Sequence, residues 1–314
     1  MNNSDRRINW LTRHPFVVLA IILLATLGPF VNKAVQTDDP LFVWTGQYIQ
    51  GHPFNFFGGK ADWWSSAVPM WTANWNPPFL PYIFALVASI FGWNEIPLHL
   101  VCLGFAFGAA TGIYSLAKLW CGRPLLAAVI AIFTPAFLVS SSTLMVDVPM
   151  LSFWIWSLVV FERAREAKSP WPFVLAGFLA GLAILTKYSA MMLLPLLAAM
   201  GVVRLRKPGW WLITLIVPVI FIAGYEFLTT KMYGHGLIFG AARYAQSGSF
   251  GFPGGSNARG IIALGFAGGS FLPVLFLAPW LWRWRTLFFG ATILFGGLVG
   301  AFSFYNPGLI HSWS

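Results

Sequence analysis

Long apolar stretches separated by short polar clumps run the length of this chain, and their lengths predict helices rather than strands. Runs of helical length fall at about 15–31, 97–117, 124–141, 147–162, 172–187, 189–203, 210–228, 259–280 and 286–305. Several are shorter than the roughly 20 residues of a full membrane span, so their ends are soft. A further run, 79–92, has the length of an interfacial or re-entrant segment. Counted that way, it leaves nine spans and puts Arg6/Arg7/Arg13, Lys118/Arg123, Arg163/Arg165/Lys168, Arg204/Arg206/Lys207 and Arg283/Arg285 on one side. That side then holds 13 of the 19 Lys and Arg residues. By the positive-inside rule it is cytoplasmic, together with the N-terminus. The pattern predicts an all-α polytopic membrane protein of about nine transmembrane helices, with juxtamembrane surface helices in its first outer loop. We read 1–314 as a single integral-membrane domain.

Composition agrees and removes other classes. Charged residues make up 9% of the chain and the mean hydropathy is +0.73, whereas a soluble domain carries about a quarter charged residues. The net charge of +10 does not argue for nucleic acid, because the basic residues sit in clumps between apolar runs, where they encode topology. Cys102 and Cys121 lie in or beside a hydrophobic run and suggest neither a disulfide framework nor a metal site. The arginines ahead of the first run resemble a signal sequence, but no small-residue cleavage site follows, so the run reads as a retained helix.

Two outer loops result, at about 32–96 and 229–258. The first opens with Asp38 and Asp39, two of only nine acidic residues in the chain. Asp39 before Pro40 is a good helix start, with a carboxylate for the orphan amides. That leaves Asp38 without a structural task. The helix that follows, 41–50, places Leu41, Trp44, Thr45 and Tyr48 on one stripe, stops at Gly51, and is too short to span. The same loop contains Lys60, Asp62, the rigid Asn76-Pro77-Pro78 and seven Trp or Tyr residues between Trp44 and Tyr82. An aromatic belt at headgroup level accounts for most of those rings. The second loop is rich in glycine, which predicts mobility, and Lys231, Arg243 and Arg259 lie in or beside it.

Two polar residues mark outer helix ends. Asp147 begins the fourth span as a candidate N-cap. Lys187 sits in the tight turn between the fifth and sixth spans; a snorkelling lysine is the plain explanation, but so short a loop favours an anion close by. No phosphate loop, paired metal-ligand spacing or catalytic triad appears. With no cytoplasmic domain to bind a nucleotide, chemistry on the outer face calls for a donor already activated and carried through the membrane. A polyprenyl-phosphate sugar fits, its phosphate held by cations (Lys187, Arg243, Lys60) and its acceptor hydroxyl or amine deprotonated by a carboxylate. Asp147, Asn76, Tyr82 and Tyr244 complete the candidate substrate-binding set. No cofactor is called for, and a divalent metal is left open.

At these residues the chain resembles the integral-membrane glycosyltransferases of family 39, which include the protein O-mannosyltransferases and the aminoarabinose transferase of lipid A. The resemblance rests on Asp38-Asp39 after the first helix, Asn76-Pro77-Pro78, Met145-Val146-Asp147, and Gly181-Leu182-Ala183-Ile184-Leu185-Thr186-Lys187, in that order. It implies a polyprenyl-phosphate-sugar donor, a lipid, glycan or protein acceptor, and inversion at the anomeric carbon. The active site is implied on the outer face of a bacterial inner membrane, with Asp38 as base and Lys187 near the donor phosphate. Two features depart from the family. The second acidic residue is Asp39 where Glu is usual. The chain also ends at Ser314 after about nine spans where eleven or more are usual, as a shortened member or a truncated reading frame would. A transporter would instead show midplane charge and repeated halves, and neither is present; a non-catalytic lipid-binding or assembly subunit is the remaining alternative.

Overall fold

The computed structural model describes residues 13–63, 66–246 and short helical pieces at 284–285, 288–292 and 296. The chain separates into two units, one of Met1–Ile132 with Phe137–Ala241, the other of Phe133–Ala136 with Ala242–Ser314. In the second unit the described residues from Ala242 onward are helical, and Trp284, Phe288 and Phe289 are exposed. The two runs expected at 259–280 and 286–305 lie largely outside the described residues.

The first unit is mostly helical. Helix α1 (Pro15–Leu27) ends in a 3-10 turn, and α2 (Asp39–Gly51) follows. A hairpin, β1 (Lys60–Trp63) with β2 (Ser66–Pro69), leads to a short α3 (Met70–Ala73), then α4 (Phe79–Phe91) and α5 (Glu95–Trp120). Helices α6 (Pro124–Ile132) and α7 (Pro135–Ser141) are bent by 64° to one another. Then come α8 (Asp147–Ala164), α9 (Trp171–Thr186), α10 (Leu193–Leu205) after a 3-10 turn from Tyr188, α11 (Ile213–Tyr233) and α12 (Leu237–Gln246). The hairpin corrects the all-α expectation; it is antiparallel, pairing Lys60 with Pro69 and Trp63 with Ser66. Helix α12 lies in the part of the expected second outer loop that the structure describes, and 247–258 lie outside the described residues. Gly234, at φ +78°, supplies the left-handed cap that ends α11 and lets the chain turn into α12.

Three described helices are long and apolar enough to cross a membrane: Glu95–Trp120, Tyr188–Leu205 and Trp210–Tyr233; the bent pair would make a fourth. The expected nine are therefore not reached among the described residues. Length does not single out α4 either, because Pro15–Phe30 and Trp171–Thr186 are also short apolar helices. The topology is open to direct measurement. With the positive-inside arrangement, cysteines placed at positions 62 and 95 both react with an impermeant reagent added from outside. Labelling of position 95 only after permeabilisation would make α4 a span.

Small residues let the helices approach closely, as expected where lipid offers no hydrophobic drive to association. A Cβ on Gly177 would meet the Thr214 carbonyl and Val217 at 3.0 Å, and one on Gly181 would meet the Phe221 ring at 2.8 Å. This seam joins α9 to α11, with the Thr214 hydroxyl donating to the Phe173 carbonyl at 3.0 Å. Between α5 and α8, Gly112 leaves room for Ile155 and Trp156, whose indole N–H donates to the Gly108 carbonyl at 2.8 Å. Between α8 and α9, the Ser157 hydroxyl donates to Ala176.

The segment from α2 to α4 packs as a unit across the ends of these helices. Gln50 of α2 donates to the Ala85 carbonyl and Ser89 hydroxyl of α4 and accepts from the Trp93 indole. Gly46 allows the Trp93 ring to lie against α2. The buried face of α2 is Leu41, Phe42, Thr45, Gly46 and Ile49, while Trp44 is exposed. The real stripe is thus rotated from the expected one, because α2 is covered by α4 on one flank and by the hairpin cluster of Ala61 and Ala73 on the other.

Candidate active site

The two aspartates face opposite ways. Thr37 adopts φ +55°, a conformation costly for a β-branched residue, and turns the chain abruptly into the pair. Asp38 then occupies the N-cap position of α2, exposed, with no side-chain cap bond. Asp39 is the first helical residue and only 1% exposed. Its Oδ1 accepts the Leu144 amide at 3.0 Å and its Oδ2 the Gln36 amide at 3.4 Å. The expectation that Asp39 caps α2 is therefore corrected: its carboxylate satisfies amides outside the helix, above all one 105 residues away. Burial pushes its pKa above the usual carboxylate value, opposed by the Gln36 and Leu144 amides and by the nearby charges of His99 and Lys33.

Leu144 belongs to the link between α7 and α8, and it packs with Val146, Phe42, Phe84, Leu98 and Cys102. Asp39 thereby fastens α2 to the stretch that delivers Asp147. Asp147 is the first residue of α8 and makes no cap bond there, which corrects the N-cap reading. Its Oδ1 instead lies 2.6 Å from Lys187 Nζ. Lys187 ends α9 with extended backbone, its amide held by the Ala183 carbonyl. The anion expected beside Lys187 is thus supplied by the protein itself, 40 residues earlier.

Around this pair, sequence reasoning missed several residues. The Tyr188 hydroxyl donates to that of Tyr225 at 3.2 Å. Phe56 stacks on Tyr225 and meets Tyr82 and Tyr233 edge-on. The Tyr233 hydroxyl accepts the Phe57 amide, tying the first outer segment to the end of α11. The carboxylate of Glu226 accepts the amides of Ile238 and Phe239 and so caps α12. His99 is buried four residues after Glu95, its Nδ1 on the Glu95 carbonyl and its Nε2 without a partner. Phe56 carries no signal in the sequence; the others are marked only by their unusual polarity within apolar helices.

The other predicted residues are dispersed. Lys60 is exposed at the start of the hairpin. Asn76 serves only with its backbone amide, donating to the Asn74 side chain; buried Asn74 then donates to Thr45. Tyr82 donates to the Pro53 carbonyl from within the aromatic cluster. Arg243 and Tyr244 lie on the last turn of α12, in the second unit. Among the described residues no three His, Cys, Asp or Glu side chains gather closely enough to hold a metal ion.

Residues 75–225 match the family model described as dolichyl-phosphate-mannose-protein mannosyltransferase. The fold resembles ArnT from Cupriavidus metallidurans bound to undecaprenyl phosphate, at TM-score 0.61 and 16% identity over 87% of this chain and 50% of that one. It also resembles the archaeal oligosaccharyltransferase AglB from Archaeoglobus fulgidus, in complex with an inhibitory peptide and a dolichol-phosphate. That match has TM-score 0.50 and 14% identity over 94% of this chain and 38% of that one. The chain spans half the length of the first of these structures, and less of the second. No curated protein sequence matches significantly.

Proposed function

We propose that this chain, a membrane protein of the family-39-like glycosyltransferase kind, moves a sugar from a polyprenyl-phosphate-linked donor to an acceptor hydroxyl or amine. The acceptor is a lipid, glycan or protein, and the anomeric centre is inverted on the non-cytoplasmic face of a bacterial inner membrane. The observation that carries this reading is the gathering of opposite charges at one set of helix ends. Asp38 stands beside an aspartate anchored to Leu144, and three residues further on Asp147 holds Lys187.

In this arrangement Asp38, exposed and uncommitted to a cap, takes the acceptor's proton as the new glycosidic bond forms. The electron pair of the breaking bond leaves with the polyprenyl phosphate, whose charge Lys187 stabilises. Asp147 keeps Lys187 aimed while no donor is bound. The side chains of Lys187 and Asp147 are 30% and 37% exposed, respectively, so water screens the pair and its net worth is about 0–1 kcal/mol. A phosphate can therefore take over the lysine at small cost. A lipid-phosphate donor is in keeping with ArnT, whose structure holds undecaprenyl phosphate, and AglB, whose structure holds a dolichol-phosphate.

The decisive experiment compares lipids and glycans of cells with and without the gene by mass spectrometry. The affected sugar is then supplied on polyprenyl phosphate to purified protein in proteoliposomes. Donor-dependent appearance of the product with inverted configuration is expected. Unchanged glycans and no transfer would leave a non-catalytic lipid-binding subunit.

A further inference from the structure

The opposite end of α5 carries a second polar site with no part in that chemistry. Helix α5 has 26 residues, which at 1.5 Å per residue carries Lys118 about 35 Å along the axis from Glu95. There a cavity of about 360 Å³ opens between the start of α1 and the end of α5, lined by Arg13, His14, Pro15, Phe16, Val17, Tyr114 and Lys118. At about 30 Å³ per water it has room for roughly a dozen, enough for a small headgroup. Among the described residues neither Arg13 nor Lys118 has an ion-pair partner. The first turn of α1 lines the cavity as well, with no side-chain cap and no acidic residue in it.

The walls are apolar on one side. Phe16 packs edge-on against Tyr114, at 5.6 Å between ring centres. From the cavity, Val17, Ile21 and Leu24 continue along one face of α1, all exposed, at the i, i+4, i+7 spacing of a single stripe. A soluble phosphate has no use for such a stripe; an acyl chain does. We infer that the pocket of Arg13, His14 and Lys118 seats the phosphate headgroup of an anionic phospholipid, its acyl chain lying along Val17, Ile21 and Leu24. The positive-inside count puts this pocket at the cytoplasmic leaflet, where anionic headgroups attract basic side chains.

The test titrates purified protein with fluorescent short-chain phosphatidylglycerol, using the phosphatidylcholine analogue as reference and inorganic phosphate as competitor. The Arg13→Gln/Lys118→Gln protein is expected to lose preference for phosphatidylglycerol on the order of 30-fold, roughly fivefold per cation. Arg13→Lys/Lys118→Arg, which retains both charges, keeps most of it and controls for folding. Arg206→Gln/Lys207→Gln removes the same charge outside the pocket and leaves the preference intact. Equal losses in the two charge-removing variants would mean diffuse surface attraction and overturn the site. Full displacement by inorganic phosphate at matched concentration would overturn the lipid assignment. The inference stands or falls independently of sugar transfer.

Discussion

Asp38→Asn is expected to lower sugar transfer by about 10²–10⁴-fold, the usual contribution of a general base, while the protein stays folded and binds donor normally. The reasoning is geometric. Asp38 is exposed and its carboxylate makes no cap bond, so changing an oxygen to an amide nitrogen disturbs no packing. Asp39 is the reverse case: both of its oxygens hold backbone amides. Asp39→Asn retains an acceptor for Leu144 but brings an N–H₂ group toward one of the two amides, and its effect is expected to be smaller. Asp39→Ala leaves both amides unsatisfied, at about 1–3 kcal/mol for each that remains buried, and is expected to reduce folded protein more than intrinsic rate. Transfer measured at matched folded protein, with donor binding as control, separates these outcomes. A larger rate loss at Asp39 than at Asp38, with the fold intact, would assign the base to the buried carboxylate. Small and equal losses would make the pair structural.

Lys187→Ala is expected to weaken apparent donor affinity about 10- to 100-fold, the equivalent of one lost hydrogen bond to a charged group. Stability should change little, since the ion pair that is removed is partly exposed. Lys187→Arg retains the charge with altered reach and should recover part of the affinity. Titration of the lipid donor against the three proteins checks this. Unchanged affinity in the alanine protein would reduce Lys187 to a helix-end lysine paired with Asp147.

How far these residues were legible in the sequence depends on how local their partners are. Helices α5, α8, α9 and α11 follow the apolar runs closely, because burial in lipid or against neighbours imposes composition residue by residue. Lys187 announced its need for an anion through the short turn around it, and Asp147 answers that need. The role of Asp39 could not be read, because its decisive partner is a backbone amide at Leu144, and every residue except proline has one. The hairpin was hidden by its brevity: Lys60–Trp63 and Ser66–Pro69 are four residues each, and neither alternates cleanly. Asn74 and Asn76 flank one tryptophan, and only tertiary contact shows which side chain reaches Thr45. Helix α12 was masked by Gly234, Gly236 and Gly240, though Glu226 was already in place to cap it.

The glycine seam between α9 and α11 bears on how the site behaves when conditions change. Lys187 and Tyr188 leave α9, Tyr225 and Glu226 lie on α11, and the spacing of these two helices is set by Gly177 and Gly181 touching Thr214, Val217 and Phe221. Contacts between uncharged atoms at van der Waals range do not respond to ionic strength or to protonation. The charged groups are thus mounted on a frame that salt does not reach. Salt can loosen the grip of Lys187 on an anion without moving the hydroxyl pair beside it.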